Sequence, residues 1–461
     1  MNSKILFFLL IFLSVAGVSV VESQTLDDVQ LLDLVTAQRV ALADNPSLAA
    51  AAERVEQARH RIEQAEALYW PGIEVGGSAV ANRMSWNDAA TLSMASGGAN
   101  IDRSSKKYKV SLGASWLLFD GFSRKFSNLM ASYGQQESEQ ARRDGMRLLL
   151  QSVAESYYSA QLALYNKAIA EADFSFNSKQ KKEAQVSMNA GAGSLSAVLN
   201  FQVQMNNASA DILLAERNYD IALFGLAVLL GRESGQMPEE LALSRLDMVE
   251  ESEFFELSSK DLLEAAVVNR PDLQRLELSV GRAESAIGVN KASYYPKLSL
   301  NGVVAGDRFD NADFVADDFG ATVSLNLSYN LFRGGGDQAR VAEAKAYRRE
   351  VARTLDQQKN RIQSEVRQAI IRLTQARAQL LLQRASVKLV EQNRDLVEEG
   401  YKAGQESLAR FNEVQRDLVR TQSRLALSLV SLYNNRQALR TATGESLIPY
   451  LAEEELEPAS Q

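Results

Sequence analysis

Three groups of residues in this 461-residue chain have types and spacings that could carry chemistry. Gly334, Gly336 and Ala339 make a GxGxxA pattern between an alternating stretch and a helical one, the arrangement that holds a dinucleotide pyrophosphate at a helix N-terminus. The preceding stretch is half polar, however, whereas a strand central to a parallel sheet is apolar on both faces. Its counterpart Gly121-Phe122-Ser123 keeps only the first glycine, so the glycines read as a tight strand-to-helix transition. Asp307, Asp310, Asp313, Asp317 and Asp318 could offer oxygens to calcium, but their spacing misses the EF-hand loop and suits a solvated loop. His60, the single histidine, lies in a polar helical stretch and reads as a surface residue. With no cysteine there is no disulfide, no thiolate and no lipidated N-terminal cysteine. No nucleophile stands with a base, so we expect no enzyme, no cofactor and no metal site. The net charge of −8 argues against a nucleic-acid partner.

The elements that carry these residues occur twice. Asn45-Pro46 and Tyr69-Trp70-Pro71 recur as Arg270-Pro271 and Tyr294-Tyr295-Pro296, an offset of 225. Leu118-Phe119-Asp120-Gly121 recurs as Leu331-Phe332-Arg333-Gly334, an offset of 213 that persists through Gly191 and Gly404 to Gly231 and Gly444. The unit, about 200 residues, is too long for a solenoid repeat and reads as a duplicated half. The difference of 12 residues falls between the YxP and LFxG landmarks.

All seven prolines fall at joints, which leaves room for very long helices from Gly121 to about Ala190 and from Asp337 to Lys402. Each would span on the order of 100 Å. Val198, Phe201, Met205, Ala208, Ile212, Ala215, Tyr219 and Ala222 step 3-4-3-4, a coiled-coil seam that repeats more weakly from Phe411 to Asn435. Between YxP and LFxG the period becomes two. Phe319, Ala321, Val323, Leu325, Leu327, Tyr329 and Leu331 alternate with Ser, Thr, Asn and Gly, as do Val110, Leu112, Ala114, Trp116 and Leu118. Weaker alternation follows Pro71 and Pro296. Each half therefore supplies one strand pair, apolar on one face and Ser/Asn-rich on the other, as outer-membrane barrels require. Loops at about Arg83–Lys107 and Gly306–Asp318 join the paired strands and are expected outside the cell, with the glycine turns at the far, periplasmic end.

Met1–Ser23 reads as a signal peptide: Lys4, an apolar run from Ile5 to Val20, then Val21-Glu22-Ser23. No later segment is an apolar span of helical length. Residues 24–235 form the first repeat, with a strand pair at about 72–119 and a long helical hairpin at about 122–230. A linker at 236–260 precedes the second repeat, 261–445, with strands at about 296–332 and a hairpin at about 336–443; 446–461 is a tail. Four amphipathic strands cannot close a barrel, and an open edge in lipid is forbidden. Two chains would give eight strands and a filled lumen; three give twelve, the smallest multiple expected to leave a conduit. The expected fold is thus an α+β membrane protein: a trimeric 12-stranded outer-membrane β-barrel continued by an α-helical coiled-coil tunnel.

These landmarks resemble the outer membrane efflux protein (TolC) family. The duplicated NP/RP helix starts, the YxP and LFDG/LFRGG strand ends, and the tips Asn189–Leu195 and Gly400–Leu408 carry the resemblance, which covers essentially the whole mature chain. It implies a homotrimer in outer membrane lipid, a periplasmic adaptor (membrane fusion) protein, an inner-membrane transporter, and export through a passive conduit. It also implies a periplasmic gate of acidic residues beyond the glycine turns. Here Glu413 fits that description, while Arg410 and its repeat partner Ala197 replace the aspartates the family carries; Tyr401 matches a tip tyrosine expected to hydrogen-bond in a closed state. Adaptor docking is expected at Gly191, Gly193 and Gly404, where small residues permit close approach. A type I protein-secretion conduit is an alternative within the channel class, and an exported coiled-coil rod with an adhesive β head is one outside it.

Overall fold

The computed structural model describes residues 30–238, 241–246 and 258–456. The signal-peptide expectation for 1–23 lies outside the described residues, as do 239–240 and 247–257 of the linker. In chain order the first repeat comprises β1 (Leu31–Leu32), α1 (Leu34–Asp44), α2 (Pro46–Ala67), β2 (Gly72–Arg83), α3 (Trp86–Ala95), β3 (Ser104–Phe119), α4 (Ser123–Asn189) and α5 (Leu195–Leu229). The second comprises β4 (Ala242–Leu243), α6 (Ser259–Asn269), α7 (Pro271–Lys291), β5 (Lys297–Phe309), β6 (Phe319–Ser328), α8 (Gly336–Lys402) and α9 (Leu408–Thr443); α10 (Ile448–Leu456) follows.

α4 and α8 have 67 residues each, about 100 Å at 1.5 Å per residue. Both run without proline and stop at glycines in the left-handed region, Gly191 (φ 77°) and Gly404 (φ 71°), where a side chain would be strained. The return helices start on serine caps: Ser194 accepts from the Ala197 N–H and Ser407 from the Arg410 N–H. The heptad stripes are the seams. Val198, Phe201, Ala208 and Ala215 of α5 are buried, as are Phe411, Val414, Leu418 and Leu432 of α9.

The repeat is legible in hydrogen bonds as well as in sequence. Asn45 donates to the Leu229 carbonyl at 2.9 Å, and its repeat partner Arg270 donates to the Ala442 carbonyl, the partner of Leu229, at 3.2 Å. Gly231 and Gly444 close the return helices against those same joints. A Cβ on Gly231 would lie 2.2 Å from the Asp44 carbonyl oxygen, and one on Gly444 2.8 Å from that of Asn269.

β2, β3, β5 and β6 form one antiparallel sheet in the order β2-β3-β5-β6, so the two strand pairs are hydrogen-bonded to each other across the repeats. The register puts the apolar sets on one face: Val75 opposite Leu112, Leu112 opposite Val304, and Leu300 opposite Leu325. Glu74, Ser78, Ser115, Asn301 and Ser324 share the other. β2 and β6 are the open edges, and they run in opposite directions. Three copies therefore close antiparallel, β6 onto the next β2, with the apolar face in lipid.

The structure adjusts three expectations. β3 begins at Ser104 rather than near Val110, and β6 ends at Ser328, leaving Tyr329 and Leu331 beyond the sheet. The segment expected as a loop at Arg83–Lys107 contains α3, capped by Ser85, whose hydroxyl accepts from the Asp88 N–H and donates to the Asp88 carboxylate. Two further short strands, β1 and β4, pair in parallel across the repeats. Their residues are too few to show alternation. With α1 and α6 they form a waist packed on the long helices, where Leu32, Leu243, Leu226 and Leu230 bury Tyr157. The Tyr157 hydroxyl reaches the Leu32 carbonyl at 3.1 Å and the Ser244 hydroxyl at 2.9 Å.

Candidate functional site

The two glycine tips lie side by side. Between them is a groove of about 630 Å³ lined by Gln180, Glu183, Gly193, Ala197, Tyr401 and Gly404 among others. Gly193 is there for space: a Cβ would sit 2.7 Å from the Met188 nitrogen. Gly191 stands apart in open surroundings, so its requirement is its positive φ. Ala197 is buried and belongs to the groove rather than the exposed tip. The Tyr401 ring stacks on Phe411 at 5.1 Å between centroids, and Phe411 in turn meets Phe176 and Phe201 edge-on. Burial raises the Tyr401 phenol pKa. Within the chain, this aromatic packing clamps α8 to α9.

Arg410 and Glu413 point out of the tip and pair with each other, Arg410 Nη1 to Glu413 Oε2 at 2.8 Å, both exposed. Donating a hydrogen bond to Glu413, and facing its charge, raises the Arg410 pKa. Behind this pair lies a polar layer. Asn412 donates to Asn200 at 2.7 Å, and Gln415 donates to Asp173 at 2.7 Å, joining α9 to α5 and α4. Burial raises the Asp173 pKa against the opposing pull of its hydrogen bonds with Gln415 and Asn177.

The inner wall can be assigned by helix geometry. Leu425, Leu429 and Tyr433 of α9 share an apolar cluster with the waist residues Leu246 and Leu262. Nine residues make 2.5 helical turns, so Arg420 and Arg424 lie on the side opposite Leu429 and Tyr433. Three waists inside a tube would fill it; the waist is therefore outside, and Glu413, Asp417, Arg420, Arg424 and Leu427 face the bore. The exposure of all five agrees.

The outer edges of the two hairpins, α5 and α8, carry apolar stripes without a cover. On α8, Leu382, Leu389 and Leu396 recur at heptad spacing and are 67%, 66% and 68% exposed. On α5, Leu199, Val203, Leu213, Ile221, Phe224 and Val228 are each at least half exposed. A stripe on each edge is the geometry of a ring in which α8 of one chain seats on α5 of the next.

Two sets of residues escaped the sequence reading. At the waist, Arg270 binds Asp272 and Glu365, each at 2.7 Å, with Gln358 donating to Asp272. Burial works to raise the Asp272 and Glu365 pKa values, but the Arg270 hydrogen bonds and charge outweigh it and hold both below the ordinary carboxylate range. The RP landmark was the available signal. At the strand-to-helix joints, Asp120 pairs with Arg124 at 3.3 Å while the repeat counterparts Arg333 and Asp337 pair at 3.8 Å with the charges exchanged. Aligning the repeats at offset 213 would have exposed this exchange. Aromatic residues surround the same joints: Trp116 donates to the Tyr69 carbonyl, and Phe122 meets Phe119 and Tyr295 edge-on. They mark the level of the membrane interface.

The discounted motifs find structural roles. Gly334 and Gly335 have positive φ and turn the chain into α8, following an antiparallel strand. Asp318 accepts from the Val315 N–H and from Arg308, and Asp307 pairs with Lys107. Among the described residues no group of His, Asp and Glu could hold a metal ion. His60 is exposed and pairs with Glu63.

The family model described as outer membrane efflux protein matches residues 38–232 and 262–445, one stretch per repeat. Among curated proteins, Nodulation protein T of Rhizobium leguminosarum bv. trifolii is 23% identical over 420 residues, covering 88% of this chain and 84% of that protein. The toluene efflux pump outer membrane protein TtgC of Pseudomonas putida is 25% identical over 416 residues, covering 88% and 81%. Among solved structures, the CmeC outer membrane channel of Campylobacter jejuni superposes with a TM-score of 0.77 at 16% identity over 91% of this chain and 89% of that one. A CusC structure gives 0.75 at 20% identity, over 90% and 93%.

Proposed function

The chain belongs to the outer membrane efflux protein family, and from that premise we propose how its parts divide the work. It is the outer membrane channel subunit of a tripartite efflux pump, a homotrimer whose helical tunnel extends into the periplasm towards an adaptor and an inner-membrane transporter. The family and fold are those of channel proteins rather than enzymes. The observation that carries this reading is the pairing of one open-edged four-stranded sheet with two helical hairpins, each led by a 67-residue helix, in a single chain.

Within that frame the tips serve two purposes. The groove at Gly193 and Gly404 receives the adaptor, because it is the concave surface between hairpins at the periplasmic end. The exposed Arg410–Glu413 pair, beside the bore, narrows the entrance; Tyr401 holds the α8/α9 hairpin in shape rather than closing it. Planar bilayers test the gate: trimers with Arg410→Ala and Glu413→Ala conduct more than wild type, and equal conductance would remove the pair from the gate. Adaptor cross-linking in cells tests the groove. Gly404→Trp should keep trimers and abolish cross-linking and export, whereas undiminished export would place docking elsewhere.

A further inference from the structure

We propose that the bore of this channel is built to favour anionic cargo, and that Arg420 and Arg424, with Arg416 beside them, set the preference. This rests on the channel reading above and adds the class of solute. Arg416, Arg420 and Arg424 stand four residues apart on α9, so their guanidinia stack along one flank over about 12 Å. Like charges at this spacing repel one another in a helix. Nothing within the described residues relieves the two upper members: Arg420 and Arg424 are exposed, and neither has an ion pair or hydrogen bond. Arg416 bonds only the Asn412 carbonyl of its own helix.

The surroundings do not cancel the ladder. Asp173 and Asp211 border the small cavity shared with Arg416 and Arg420; Asp173 is engaged by Gln415, and neither carboxylate is paired with either arginine. Glu413 is taken by Arg410. Asp417 is the one other bore-side acid on this stretch of α9. The polar face of the sheet continues the sign. Lys109 and Lys297 lie on it together with Glu74, and Lys107 there is matched by Asp307. Within a chain of net charge −8, this stretch of α9 and the polar face of the sheet are thus basic. In a trimer the ladder becomes a collar of guanidinia in a water-filled passage, where one sign of charge concentrates the opposite ion.

Purified trimers in planar bilayers under a potassium chloride gradient test the proposal through the reversal potential. Wild type should show a chloride preference, and Arg420→Gln with Arg424→Gln should lower the chloride-to-potassium permeability ratio several-fold. Arg436→Gln with Arg440→Gln, on the waist side of the same helix, should leave the ratio where it was. A wild-type ratio favouring potassium, or a ratio unmoved by the bore-side pair, overturns the anionic preference while the channel reading stands. Absence of any conductance from folded trimers would instead overturn the channel reading itself.

Discussion

Arg270 shows how much of this assembly hangs on single side chains. It sits at the start of α7, nearly buried, and ties three elements together through Asp272, Glu365 and the Ala442 carbonyl. A buried pair contributes little net stability compared with apolar packing, but removing one partner strands the other charge. Arg270→Met should therefore cost about 3–5 kcal/mol, read as a lowered midpoint in thermal unfolding of the detergent-solubilised trimer. The pH dependence has a definite sign. Asp272 and Glu365 have folded-state pKa values below their unfolded ones, so the stability they add is complete above the ordinary carboxylate range of about 4 and is lost as pH falls through the folded-state values. The variant should lose this part of the acid limb. An unchanged acid limb would mean that the network does not govern the waist.

Among the elements, the strand-to-helix joints carry the clearest relation between the repeats. Asp120 and Arg124 occupy the positions of Arg333 and Asp337, so the same i,i+4 pair is kept with its charges exchanged. The polarity is not equivalent at the two joints, because Asp120 also accepts from the Arg124 N–H, whereas Asp337 is held more closely by Arg340 than by Arg333. Arg124 does more than its counterpart, donating to the Leu68 and Leu118 carbonyls and lying 4.9 Å from the Tyr69 ring centroid. Asp120→Arg or Arg124→Asp alone should destabilise the barrel end. The double exchange should recover part of that loss, with a coupling of roughly 0.5–3 kcal/mol in a double-mutant cycle. Recovery stays partial because an aspartate at 124 cannot donate to the two carbonyls. Strict additivity of the single changes would show that the pair is incidental.

At the scale of the whole molecule, the unpartnered features all point the same way. The open edges β2 and β6 and the stripes on α5 and α8 lie at the two lateral limits of the chain, so one rotation satisfies both. Leu382→Glu with Leu389→Glu should abolish trimers on native gels while circular dichroism keeps its helical content, because these residues pack on no core within the chain. Intact trimers would move the seam to another face. The basic collar on α9 belongs to this scale too, since a ring of charge exists only once three bores become one.

By itself the sequence determined the duplication, the length of the helices, the heptad seams and the alternation of the strands. These are local matters: a period of 3.5 or 2 is written into neighbouring residues, and a missing proline or a glycine after a long run is visible without any partner. The tip residues Arg410 and Glu413 came through the family resemblance, while Gly193 and Gly404 are visible as small residues at the turns. The tertiary structure decided the rest. It paired β3 with β5 and so sorted each strand residue to lipid or bore, and it recruited the two-residue strands β1 and β4, too short for any pattern to announce. Arg270 was brought to acids 2 and 95 positions away, and Arg420 and Arg424 were turned from the waist toward the bore. Partners distant in the chain are chosen by how whole elements dock, and that choice has no local signature.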